Sequence, residues 1–137
     1  MKRILQILAA AALSASPSPA GAYAPAGAPS AAQCRGTDRA ITRQVNFARG
    51  RTTAVIKNTV RLCTSHEWVL RARGGQTMSV HLAAGRKTSL TVQSPSGTLD
   101  GADGVKDWSG ELPENGEYVI IIGTDATAAY TLEVTIR

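Results

Sequence analysis

Between Ile41 and Ile136 apolar and polar residues take turns along the chain, and this period of two constrains the fold more than any other feature. Successive side chains of a β-strand point to opposite faces, so alternation describes strands with one face buried and one in water. Tyr130, Leu132, Val134 and Ile136 alternate with Thr131, Glu133 and Thr135 almost without fault. Met78, Val80 and Leu82 alternate with Ser79 and His81, and Trp68, Leu70 and Ala72 with Val69 and Arg71. Leu90 and Val92, then Tyr118, Ile120 and Ile122, mark further faces, while Ile41, Val45 and Phe47 form a looser set broken by Arg43. The run from Val119 to Ile122 is apolar on both sides and predicts a central strand covered on both faces.

Turn residues cut these runs at short intervals: Arg49-Gly50, Gly74-Gly75, Ala84-Gly85, Pro95-Ser96-Gly97, the stretch Asp100 to Gly104, and Pro113-Glu114-Asn115-Gly116. Glycine and asparagine tolerate the positive φ that tight hairpins demand. Helical spacing sustained over a dozen residues is absent from this part of the chain. Short strands with a turn about every ten residues predict an all-β fold, an antiparallel two-sheet β-sandwich of jelly-roll type with seven to eight strands. A small closed barrel is the rival architecture. Trp68 and Trp108 are expected to help fill the core.

The segment before these strands has another character. Lys2 and Arg3 precede an apolar stretch from Ile4 to Leu13, and small residues follow, with Ala20 and Ala22 fitting a small-x-small cleavage site. That is the layout of a secretory signal peptide over residues 1–22, too short for a membrane span. Residues 23–37 are dominated by Ala, Pro, Gly and Ser, which bury too little to offset their ordering entropy and read as a linker. The folded domain is placed at 38–137, in a periplasmic or secreted protein without stable membrane insertion.

Cys34 and Cys63 are the only two cysteines. In an oxidising compartment such a pair is most simply a disulfide, with two free thiols as the alternative. Two cysteines and two scattered histidines have no zinc-type spacing.

Charge divides along the chain. Residues 35–87 hold 11 basic and 2 acidic side chains, residues 88–137 hold 2 and 8, and Lys2 and Arg3 complete the formal +5. Interleaved strands would neutralise the halves against each other, and no basic-aromatic platform accompanies the basic half, so nucleic acid is not expected as a partner. The residues needed for catalysis do not assemble. His66-Glu67 lacks the second histidine of a zinc-protease helix, His81 alternates outward, and there is no nucleophile elbow or phosphate loop. Asp100, Asp103 and Asp107 offer hard oxygen ligands near Gly101 and Gly104, but not at EF-hand spacing. The chain is expected to be no enzyme and to carry neither metal nor cofactor.

Four clusters, Val45-x-Phe47-x-x-Gly50-x-x-x-Ala54, Trp68-x-Leu70-x-Ala72-x-x-Gly75-Gln76, Leu112-Pro113-x-x-Gly116-x-Tyr118 and Tyr130-x-Leu132-x-Val134-x-Ile136, occur in this order. Together they resemble the periplasmic inhibitors of g-type lysozyme. The last three also resemble the bacterial pre-peptidase C-terminal sandwich, an accessory module. The first resemblance implies a non-catalytic protein that places loops in a lysozyme's substrate cleft, with the family's Ser-Gly-x-Tyr element falling on Asn115, Gly116 and Tyr118. The second implies an accessory envelope module that binds protein or polymer and inhibits nothing. Toward a basic enzyme, Asn115 and Glu117 with Asp107 and Glu111 would supply an acidic face. Gly116→Arg is then expected to abolish inhibition while sparing the fold.

Overall fold

A computed structural model describes Cys34 and residues 39–137. The expected signal peptide and, apart from Cys34, the expected linker lie outside the described residues. Nine strands follow one another: β1 (Arg39–Gln44), β2 (Thr53–Val60), β3 (Thr64–Ala72), β4 (Thr77–Ala83), β5 (Thr88–Ser94), β6 (Gly97–Thr98), β7 (Asp107–Glu111), β8 (Gly116–Thr124) and β9 (Ala128–Ile136). They form a five-stranded sheet, β1-β3-β8-β5-β6, and a four-stranded sheet, β2-β9-β4-β7. The strands fall into two separate sheets, bridged on one side by only isolated backbone bonds of Ala102, Val105 and Lys106 with Val92, Leu90 and Leu82, so the molecule is a sandwich and not a closed barrel.

Two details depart from the sequence reading. The extra strand is β6, two residues that pair Gly97 with Ser94 and Thr98 with Gln93 beyond the Pro95-Ser96 turn, too short to leave a periodic signature. Strand β1 runs parallel to β3, whereas every other pairing between strands is antiparallel. The reason is the loop 45–52: instead of turning back it crosses to the other sheet, where Thr52 O accepts from Ile136 N at 2.9 Å and the chain enters β2. Val45 stays buried past the end of β1, its N–H donating to Val69 O at 2.9 Å.

Alternation does the rest. Burial along β4 is strictly every second residue, with Met78, Val80 and Leu82 facing Leu132, Val134 and Ile136 of the neighbouring β9. Trp68 and Leu70 of β3, Leu90 and Val92 of β5, and Tyr118, Ile120 and Ile122 of β8 close the core from the other sheet. Removing each large aliphatic side chain from water contributes about 1.5–3 kcal/mol. Trp68 lies in this core, while Trp108 is only half-buried against its margin, with Nε1 donating to Asp100 O at 3.0 Å. Strand β8 is central, between β3 and β5, but its outer side chains Val119 and Ile121 are half-buried: the five-stranded sheet has one covered face, not two. Among the described residues no helix is long and apolar enough to cross a membrane.

The disulfide joins Cys34 to Cys63, whose Cα atoms are 5.0 Å apart. It ties the chain ahead of β1 to the turn that opens β3. Cys63 is the one non-glycine residue with positive φ (66°) among those described, and Arg39 N donates to its carbonyl at 3.1 Å.

Candidate functional site

At the end of the sandwich farther from the disulfide, three connections meet: the Arg73–Gln76 turn that carries the chain from β3 in one sheet to β4 in the other, the Pro95-Ser96 turn between β5 and β6, and the Leu112–Asn115 loop between β7 and β8. Backbone bonds join the first and third, Gly75 N to Leu112 O and Leu112 N to Gln76 O, both 2.8 Å. Asn115 Oδ1 accepts from Gly74 N at 2.8 Å, and Gly74 sits so close to Glu114 that a Cβ there would lie 3.2 Å from its Cα. The Glu114 carboxylate accepts from Ser96 N at 2.9 Å and Ser96 Oγ at 2.7 Å, which joins the second connection to the third. Three loops thus brace one another.

The residues singled out in the sequence occupy different levels of this assembly. Asn115 is exposed, as is Pro113; the acceptor side of its amide is used by Gly74, and its Nδ2 has no hydrogen-bond partner among the described residues. Tyr118 is wholly buried. Its hydroxyl donates to Glu114 O at 2.6 Å and accepts from Glu114 N at 3.3 Å, a tie from strand to preceding loop like the tyrosine corner of other sandwiches. Tyr118 therefore supports the loop from below. Gly116 has φ +146°, and a Cβ there would approach Pro95 Cγ to 2.7 Å. Any side chain at 116 strains the backbone and collides with a ring, so Gly116→Arg disturbs the fold as well as the loop surface, contrary to the sequence expectation.

The expected acidic face is not assembled. Glu117 points away from the core on the five-stranded sheet, opposite Arg71; Asp107 does so on the four-stranded sheet, opposite His81. Each is one step out of phase with a buried neighbour, Tyr118 and the half-buried Trp108, and the two neighbours belong to different sheets. Glu111 stands at the edge opposite Thr77. What the loop end does collect is arginine. Loop 45–52 carries Arg49 and Arg51 over it, Arg73 lies in the turn between the sheets, and Arg137 exchanges backbone bonds of 2.8 and 2.9 Å with Thr77. All four are exposed.

Away from this end, the histidines have structural company. His66 is 7% exposed, and its Nδ1 lies 2.6 Å from Tyr130 Oη, which also accepts from Trp68 Nε1 at 3.0 Å. This buried trio spans the two sheets. Burial, reinforced by the positive charge of Arg43, holds the imidazole pKa below its ordinary value; burial raises that of the Tyr130 phenol, against the hydrogen bond from Trp68 and the charge of Arg43. His81 is exposed and touches Asp107. Asp103 accepts from Thr91 Oγ1 at 3.0 Å, and among the described residues no three acidic, histidine or cysteine side chains are grouped to hold a metal ion. Neither the His66–Trp68–Tyr130 trio nor the Ser96–Glu114 clamp was visible in the sequence. Their partners are 62 or 64 and 18 residues apart, and no local pattern marks them.

These features define a class: a disulfide-tied two-sheet β-sandwich with one end cross-braced by three loops. No protein-family model matches the sequence, and no curated protein matches it significantly. Solved structures do. The periplasmic inhibitor of g-type lysozyme (PliG) of Aeromonas hydrophila superposes with a TM-score of 0.64 at 26% identity, over 73% of this chain and 99% of that one. The PliG of Salmonella Typhimurium shares the fold at a TM-score of 0.58 and 18% identity, over 70% of this chain and 97% of that one. The pre-peptidase C-terminal domain of a Bacillus anthracis collagenase is a looser neighbour, with a TM-score of 0.46 and 9% identity over 72% of this chain and 94% of that one. The resemblance to the g-type lysozyme inhibitors read from the four clusters is thus present in three dimensions.

Proposed function

We propose that the chain is an exported, non-catalytic binding protein that inhibits a g-type lysozyme by seating its braced loop end in the enzyme's substrate cleft. One observation carries this reading: an exposed tip, Pro113 to Asn115, stands on a base cross-tied by Gly74, Ser96 and Tyr118, in a fold that spans 99% of the Aeromonas inhibitor. A tip fixed before binding loses little conformational entropy on insertion, so its contacts translate into affinity. The free Nδ2 donors of Asn115 are suited to carboxylates and carbonyls of the kind that line a sugar cleft. An interface of about 800 Å² per partner is enough for a stable complex. The signal-peptide layout and the disulfide agree with work in the periplasm or outside the cell.

The test is a cell-wall clearing assay in which the mature protein is mixed with g-type, c-type and i-type lysozymes. Slowing of the g-type enzyme alone at equimolar, roughly micromolar protein is expected, as a complex with a Kd well below micromolar would give. No slowing of any of the three removes the inhibitor reading and leaves a binding module for another partner.

A further inference from the structure

The charge at the loop end carries information about the surface it meets. Arg49 and Arg51 in loop 45–52, Arg73 in the 73–76 turn and Arg137 beside Thr77 are all exposed. None of them is in an ion pair among the described residues, where the one such contact is His81 with Asp107. The acids nearby do not neutralise them. Glu114 is held by Ser96, Glu117 lies on the outer face of the five-stranded sheet, and Glu111 is at an edge. Guanidinium groups keep their charge at any physiological pH and pair with carboxylates in a two-pronged geometry. Burying such groups against a neutral or basic surface leaves unpaired charge, which is costly.

The geometry points to an acidic partner surface: the loop end docks on a protein face rich in carboxylates, and the four arginines steer it there. This rests on the inhibitor reading of the same end and adds that the lysozyme it serves is acidic around its cleft. It reverses the sequence expectation of an acidic face meeting a basic enzyme, because these four arginines outnumber the acids that share their end, Glu111, Glu114 and Glu117, of which Glu114 is held by Ser96 and Glu117 stands opposite Arg71.

The experiment measures association and dissociation rates of the chain with g-type lysozymes across a range of salt, for the wild type and two double variants. For the wild type the association rate should fall about tenfold between roughly 20 and 500 mM salt. Arg49→Glu with Arg51→Glu should lower it by a similar factor at low salt and change dissociation little. Arg86→Glu with Lys87→Glu, at the opposite end, should leave it within about twofold, since charges beyond a Debye length of the contact are screened. An association rate that is independent of salt or rises with it, or an equal loss from the Arg86/Lys87 pair, overturns the proposal. A Glu-rich heptapeptide separates this from the parent reading. Amide shift changes confined to the loop end, in a protein that inhibits no lysozyme, keep the acidic-surface inference and sink the inhibitor one. Inhibition without salt dependence does the opposite.

Discussion

The two ends of the sandwich each use a buried tyrosine, and they use it differently. At the disulfide end Tyr130 of β9 reaches across to His66 and Trp68 of β3, so its hydroxyl joins the two sheets. At the loop end Tyr118 of β8 reaches only four residues back, to the main chain of Glu114. The first arrangement holds the body together, aided by Cys34–Cys63; the second shapes a loop whose tip stays in water. Under the proposed function stability and contact fall to opposite ends, and each end should fail in its own way when altered.

The largest effect expected is on removal of the disulfide. A loop of 29 residues released by Cys34→Ser with Cys63→Ala loses about 3–4 kcal/mol by loop-closure entropy. Chemical denaturation should report this loss while inhibition by the protein that remains folded is unchanged; joint loss of both would break the division of labour. Next comes Tyr130→Phe, which leaves the buried Trp68 N–H and His66 Nδ1 without their common partner and should cost about 2–3 kcal/mol, again with inhibition retained. Tyr118→Phe should cost about 1–2 kcal/mol, and here inhibition should fall by more than the folded fraction does, because Glu114 and the tip lose their tie. The smallest effect is that of pH. The folded protein holds His66 below its ordinary pKa, so the unfolded chain binds the proton more readily. The contribution of neutral His66 is complete above about pH 6.5 and is lost as pH falls below that value. Thermal melting should therefore shift down in mild acid, and His66→Gln should flatten that dependence.

How much of this was legible in the sequence follows from how local each cause is. The core faces of β4 and β9 were readable because alternation is a property of neighbouring residues, and Met78 or Leu132 needs only its own strand to be placed. The disulfide was readable because two cysteines in a chain with a signal-peptide layout leave few options. The parallel pairing of β1 with β3 was not, since nothing between Val45 and Thr52 announces a crossing to the other sheet. Nor was the charge of the loop end, because Arg49 and Arg137 are brought to one end only by the pairing of β2 with β9 and of β4 with β9. Asn115, Gly116 and Tyr118 were found by resemblance. Their division into an exposed amide, a strained turn and a buried strut needed the packing of Gly74, Pro95 and Glu114 around them.

Amide hydrogen exchange of the chain with and without an excess of g-type lysozyme tests the central claim most directly. Added protection should be concentrated in residues 73–76, 95–96 and 112–116, with Cys63, Thr64 and residues 124–127 exchanging as they do in the free protein. Protection centred on the disulfide end, or none at all under conditions where the enzyme is inhibited, would contradict the assignment of contact to the loop end.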